Sequence, residues 1–456
     1  MKSHRFIAAV AAGLVTLGFA PSAAAGSPAP ADPPTKTPIK HFVVLMQENH
    51  SFDNYFGTFP GADGIPAGTC MPNSRTDPKA GCVTPFHIGG KAIIDLDHTP
   101  TVSARQLNHG KMDGFVSVFN ERNREGSLAM GYYDQRELPF YWDIAKKYVL
   151  FDKYFTSAAG GSFWNHMFWV AGTAGTPRDS IPSEGLGALP TIFDRLQEKG
   201  ISWKFYVQNY DPKINFRHPA EGDRGSQTVW VPLLDYARFI DDPALSSHIV
   251  DMSQYYKDLR DGTLPAVAYV APSGASEHPP GDLQPGQRLI RTMITELMRS
   301  SAWPSSAFMW AYDDWGGWYD HVAPPQVDKY GYGFRAPSLL VSPYARQGQV
   351  NSTQLDSTSM LKFIEDNWGL RPLAERDAKA NSPISAFDFS KGPRAPTFFS
   401  TVPAPHVQRA NHGLLYGTYA AAVAIPTLLA GAGFFGARRR RRVRLATVRP
   451  DEGGNI

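Results

Sequence analysis

The chain has 456 residues, with 45 Lys and Arg against 42 Asp and Glu and a formal net charge of +3. Five consecutive arginines near the C-terminus supply much of that excess, so the rest is close to neutral and carries no basic footprint for nucleic acid. A hydrophobic share of 42% excludes a disordered chain and is enough to bury one large core.

In chain order, Lys2, His4 and Arg5 precede an apolar run over 6–20 and then Ala23-Ala24-Ala25, the pattern of a secretory signal over 1–25 that predicts export. Residues 26–38 are a Pro/Ala-rich linker. Residues 39–47 read as an apolar strand that runs straight into Glu48-Asn49. Cys70 and Cys82, the only cysteines, are close enough in sequence to form a disulfide in an oxidising compartment. Gly160-Gly161-Ser162 opens an apolar stretch over 163–170, so Ser162 is expected at the start of a helix. A helix is predicted over 191–200, stopped by Gly200, followed by strands over 201–207 and 265–271. Leu289, Ile290, Met293, Ile294, Leu297 and Met298 recur at helical spacing ahead of a second strand, 307–312, which runs into Asp313-Asp314. A strand over 336–342 and a helix over 360–368 complete the core. This alternation predicts an α/β fold with a mostly parallel sheet sandwiched by helices. The catalytic domain is expected over 39–390 and an irregular stalk over 391–412. The uncharged stretch 413–436, followed by a basic tail over 437–456, reads as a C-terminal transmembrane helix holding the catalytic domain outside the cell.

Two strands that each end in a pair of oxygen ligands form the pattern of a cation site, because ligands collect at the carboxyl ends of strands in open α/β sheets. Hard oxygens suit hard or borderline divalent cations. Either pair alone is more often an acidic loop; the serine segment shifts the balance. A serine hydroxyl needs a base, a lowered pKa or a metal before it can attack. At a helix N-terminus its surroundings favour an anion, and Asn165, one turn on, could donate to the same oxygens. The chain has no Gly-x-Ser-x-Gly elbow over this segment, which argues against acyl transfer.

The segment Glu48-Asn49-His50-Ser51-Phe52-Asp53-Asn54-Tyr55-Phe56-Gly57 resembles the opening signature of the bacterial phosphoesterase family that joins phospholipases C to a group of acid phosphatases. Asp97-His98, Gly110-Lys111-Met112-Asp113-Gly114-Phe115, Gly160 to His166, Ser276-Glu277-His278-Pro279 and Tyr312-Asp313-Asp314-Trp315-Gly316-Gly317 through Val322 follow in that family's order. The resemblance runs from Ile39 to Phe389.

What it implies is an alkaline-phosphatase-like core and a metal-dependent phosphoric ester hydrolase acting through a phosphoserine. Glu48, Asn49, Ser162, Asp313 and Asp314 would hold one divalent ion, whether Ca, Mg, Mn or Zn, with Ser162 also the nucleophile. Asn165 would hold a phosphate oxygen, and His98, His278 and His321 would line the pocket, with the general acid among them undecided. Glu277 and Asp320 would orient His278 and His321, and Asp53 would be scaffold. Asp314 stands where the family often has glutamate. A serine nucleophile and the short C-terminal region lean toward an acid phosphatase acting on phosphomonoesters. The alternative is a phospholipase C cleaving phospholipid headgroups, with the membrane as partner. An inactive surface binding protein is a weaker reading, and a sulfatase would need a Cys-x-Pro-x-Arg context that neither cysteine has.

Overall fold

The computed structural model describes residues 32–399, apart from 91–92, 123–124 and 221–225. The chain divides into Met1–Asp32 and Pro33–Ile456, and the described residues belong, Asp32 apart, to the second unit.

Eight strands make the main sheet: β1 (His41–Gln47), β2 (Val149–Phe151), β3 (Trp203–Val207), β4 (Ile249–Asp251), β5 (Val267–Ala271), β6 (Ser306–Tyr312), β7 (Ser338–Val341) and β8 (Gln349–Asn351). Their order is β8-β2-β7-β6-β1-β5-β3-β4. The sheet is mixed: β7 runs against both of its neighbours, β6 and β2, and the other pairings are parallel. Five of the seven pairings are parallel, as expected, and the exception at β7 has a covalent reason. A parallel return needs a crossover, usually a helix, and the segment between β6 and β7 holds no helix. The chain therefore turns back and pairs antiparallel.

The central strand β1 is apolar between its two end residues, as suits a strand covered on both faces, and Phe42 to Met46 are buried. Register shows what covers each face. Phe42 stands beside Ala307 and Val267, and its ring lies 4.7 Å from Phe363 of α6 (Ser357–Trp368). On that same face Tyr269 meets Trp169 of α3 (Ser162–Ala171), with ring centroids 4.5 Å apart. Trp310 points the other way and packs on Tyr141 of α2 (Pro139–Lys147) at 5.6 Å. α5 (Leu283–Arg299) packs on α2, so helices cover both faces. Two short elements complete the set used below: α1 (Phe52–Phe56) directly after β1, and α4 (Ile192–Lys199), capped by Thr191 and ended by Gly200 at φ +69°. That left-handed stop is where glycine is favoured.

Cys70 and Cys82 form the expected disulfide, with Cα atoms 5.4 Å apart. The expected stalk is corrected over 391–399. Arg394 donates to the carbonyls of Pro343 and Ala345, and the Phe399 ring lies 5.4 Å from Phe140, so this strap is part of the domain. The transmembrane helix is corrected as well: among the described residues no helix is long and apolar enough to cross a membrane. The predicted span 413–436, the basic tail and the signal segment 1–25 lie outside the described residues.

Candidate active site

β1 and β6 are parallel neighbours with Gln47 beside Tyr312, so Glu48-Asn49 and Asp313-Asp314 leave the sheet together. The Asp313 amide donates to the Gln47 carbonyl at 3.0 Å. Asn49 takes a left-handed conformation, φ +62°, which asparagine tolerates better than most residues. This turn brings its backbone N–H to 3.3 Å from Asp313 Oδ1. Across from it the chain needs Gly316, because a Cβ there would stand 2.2 Å from the Asn49 carbonyl oxygen.

Ser162 is the first residue of α3, behind Gly161 as the cap. Its Oγ lies 3.4 Å from Glu48 Oε2 and 3.4 Å from Asp314 Oδ2. The structure thus brings Glu48, Asn49, Ser162, Asp313 and Asp314 together. All three carboxylates are buried, and the ion pairs described for them are with His98 and His166. Burial and the Asp313 and Asp314 charges push Glu48 well above the usual carboxylate range. Burial pushes Asp313 up to about 6, with Asp314 adding to it, and pushes Asp314 up to about 6 as well.

Two observations fit this donor set to a divalent cation. Glu48 Oε1 and Asp313 Oδ2 are buried with no hydrogen-bond partner, which is costly unless something positive neutralises them. Oxygens around an octahedral cation at about 2.1–2.4 Å stand roughly 3.0–3.4 Å apart, and the Ser162 distances match. The Asn49 amide has two orientations. In one its nitrogen donates to Asp313 Oδ1 at 3.0 Å and Glu48 Oε2 at 3.2 Å, and its oxygen accepts from His98 Nε2 at 3.1 Å and His278 Nε2 at 2.9 Å. In the other its Nδ2 faces His98 Nε2 at 3.1 Å and its oxygen joins the carboxylates. Only a cation makes the second arrangement favourable.

His98 and His278 thus converge on Asn49. Their Nδ1 atoms are tied to the carbonyls of Leu96, at 2.7 Å, and Pro279, at 2.6 Å, so each ring presents Nε2 to the pocket. Burial opposes a charge on His98, but Asp314 and Asp95 outweigh it and push its pKa up to about 9.

Two other expected site residues are placed elsewhere. Asn165 is fully buried: its Oδ1 accepts from the Ala158 amide at 2.9 Å and its Nδ2 donates to the Gly161 carbonyl at 3.1 Å. It holds the loop that delivers Ser162, and no atom of it is free for a phosphate oxygen. His321 joins a separate cluster, with Nδ1 2.7 Å from Asp53 Oδ2 and Nε2 3.2 Å from Asp63 Oδ1. Asp320 there pairs with Arg335 at 2.9 Å. Glu277 does not touch the His278 ring either. Its carboxylate accepts from the hydroxyls of Tyr55 (2.8 Å), Tyr141 (2.5 Å) and Tyr312 (2.6 Å), and its backbone carbonyl meets His50 Nε2 at 3.2 Å. The effect is to clamp the 276–278 segment, whose Ser276 carbonyl accepts from the Glu48 amide at 2.9 Å.

The sequence reading passed over His166. It lies one turn beyond Ser162 with Nδ1 on the Ser162 carbonyl at 2.9 Å and Nε2 3.6 Å from Glu48 Oε1, where it can join Glu48 and Asp313 around a cation. Its i,i+4 spacing from Ser162 was the available signal. Asp95 and Asp179 were also passed over. With Asp97, His98, Thr99 and Gly161 they line an open cleft of about 480 Å³.

A family model described as "Phosphoesterase family" matches residues 39–371. Phospholipase C B of Mycobacterium tuberculosis is 28% identical over 427 residues, covering 78% of this chain and 79% of that one. A non-hemolytic phospholipase C of Burkholderia pseudomallei is 27% identical over 425 residues, covering 77% and 59%. Among solved structures, a protein in the alkaline phosphatase superfamily from Vibrio parahaemolyticus is 12% identical, with a TM-score of 0.34 over 74% of this chain and 67% of that one. That likeness is too slight to bear on the site.

Proposed function

The chain belongs to the Phosphoesterase family and is a hydrolase acting on phosphate esters, and from that premise we propose that Ser162 is its nucleophile and that Glu48, Asn49, Asp313 and Asp314, joined by His166, hold a divalent cation beside it. The observation that carries this is the Ser162 hydroxyl, 3.4 Å from a carboxylate oxygen of each strand-end pair and next to two buried carboxylate oxygens without partners.

A bound cation would lower the Ser162 pKa and draw charge from phosphorus. Ser162 Oγ attacks in line, its proton passes to a neighbouring carboxylate, and the bond from phosphorus to the leaving oxygen breaks. His98 or His278, whose Nε2 atoms face the pocket from the Asn49 side, protonates that oxygen. Water then hydrolyses the phosphoserine and frees Ser162. Asn165 acts before any of this, by fixing the loop in front of α3.

The phosphomonoester reading and the phospholipase C reading share this chemistry. The relatives' names favour a phospholipid diester; the serine at the nucleophile position leans the other way. Hydrolysis of p-nitrophenyl phosphate beside p-nitrophenyl phosphocholine, with added divalent cations, separates the two. The nucleophile is tested by acid trapping during turnover, which should put phosphate on the peptide containing Ser162. Ser162→Ala should remove that label and lower kcat by about 10³ or more, while costing the fold at most about 2 kcal/mol. Label on another residue, or retained turnover, would remove the assignment.

A further inference from the structure

Backbone N–H groups at the start of a helix are where an anionic phosphoryl group is commonly held. At the start of α3 two such groups are already taken. The Asp179 carboxylate accepts from the Gly161 amide at 2.6 Å and the Trp164 amide at 2.9 Å. It approaches so closely that a Cβ on Gly161 would meet Asp179 Oδ2 at 2.8 Å. The same carboxylate lines the cleft together with Asp95, Asp97 and His98. Asp97 is neutralised by Arg122 at 2.6 Å. Among the described residues neither Asp95 nor Asp179 has a lysine or arginine partner; the ion pair described for Asp95 is with His98 at 3.7 Å. The rim adjoins the Ser162 site through Gly161 and through His98, 3.9 Å from Asp314 Oδ2, and Glu48 Oε1 and Asp313 Oδ2 lie buried and unpartnered there.

We propose that Asp179, assisted by Asp95, is the charge filter of the site: it disfavours phosphomonoesters, which carry nearly two negative charges above neutral pH, and admits diesters with one, above all those whose alcohol is cationic. The inference rests on the reading that Ser162 attacks phosphorus, and it adds how the cleft chooses among esters. A second phosphoryl charge would have to sit near Asp179, which has no lysine or arginine partner among the described residues and already holds two helix-start N–H groups, and near Asp95, whose described ion pair is with His98. A cationic alcohol at the mouth would be attracted by the same two groups. One unit charge about 6 Å away at an intermediate effective permittivity changes binding about tenfold.

The test compares wild type, Asp179→Asn and Asp95→Asn on p-nitrophenyl phosphate and p-nitrophenyl phosphocholine at pH 8, with one divalent cation, at low salt and at 0.5 M salt. Asn at position 179 keeps one capping oxygen; Asp95→Asn removes a rim charge without touching α3. The monoester-to-diester ratio of kcat/KM should rise about tenfold in Asp179→Asn and by a smaller factor in Asp95→Asn, chiefly through KM, and the gain should shrink at high salt. A cap with no filtering role would lower both substrates alike, and that outcome, or an unchanged ratio in both variants, overturns the filter. If Asp179→Asn does not fold, the Asp95→Asn ratio decides. Wild type inactive on both esters would remove the reading of Ser162, and the filter with it.

Discussion

Two buried acidic clusters lie at the sheet's carboxyl edge, and they differ in what neutralises them. Asp53 and Asp320 surround Arg335, which is itself fully buried. Its Nε reaches Asp320 Oδ1 at 2.9 Å, its Nη2 reaches Asp53 Oδ1 at 3.2 Å, and its Nη1 donates to the Asp63 and Asp152 carbonyls. The guanidinium also lies over the Phe52 ring at 4.6 Å. That cluster is complete. Glu48, Asp313 and Asp314 have histidines nearby but, among the described residues, no arginine partner, and two of their oxygens have no hydrogen-bond partner. An acid cluster that closes on its own arginine is scaffold; one left open by charge is where an outside cation and a reaction fit.

This contrast breaks most clearly at Arg335. Arg335→Met should leave Asp320 without its cation and Asp53 with His321 alone, and cost about 3–5 kcal/mol, read as a fall in the urea midpoint that no divalent cation restores. If the variant is as stable as wild type, the cluster is not the closed one described. The open cluster should respond in the opposite way. A saturating divalent cation, at about 100 times its Kd, should stabilise wild type by roughly 3 kcal/mol, visible as a Tm increase. In Asp313→Asn that increase should vanish, while the cation-free protein is no less stable than wild type, because one of three mutually repelling acids is gone. An unchanged cation response would remove Asp313 from the ligand set.

Glu277 sharpens the same point through pH. Burial pushes it up from its ordinary 4.5 to about 7, although the three tyrosine hydroxyls oppose the shift. The folded protein therefore holds a proton that the unfolded chain gives up. The stabilisation is complete below about pH 4.5 and is lost as pH rises through 7. Glu277→Gln should flatten that slope, so the wild-type advantage over the variant should be larger at pH 4.5 than at pH 8 by a few kcal/mol in urea unfolding. Parallel curves would place the titration elsewhere. The smallest effect expected is that of Asn165→Ala. Losing the loop contacts should cost about 1–3 kcal/mol and lower kcat with KM little changed, since it shifts the nucleophile and touches no substrate oxygen. A large KM increase would return Asn165 to the phosphate.

Glu48-Asn49, Ser162 and Asp313-Asp314 were readable from the chain because each signal is local: an apolar strand ending in oxygen ligands, or two glycines before a helix. Helix ends were readable for the same reason, as at Gly200, which ends α4 in a left-handed turn. His98 and His321 sit in motifs of similar strength, yet one lies 3.9 Å from Asp314 Oδ2 and the other pairs with Asp53. No local pattern separates them, since their partners are more than two hundred residues away in the chain. The reversal of β7, the closure of Asp179 over the α3 amides and the three tyrosines around Glu277 also leave no local pattern, although some of these partners are nearer in the chain. The sequence by itself determined which segments form strands and helices and which residues stand at their ends, because periodicity and capping act over a few residues. Only the tertiary structure decided which loops meet at the sheet's edge, and so which acids found an arginine and which did not.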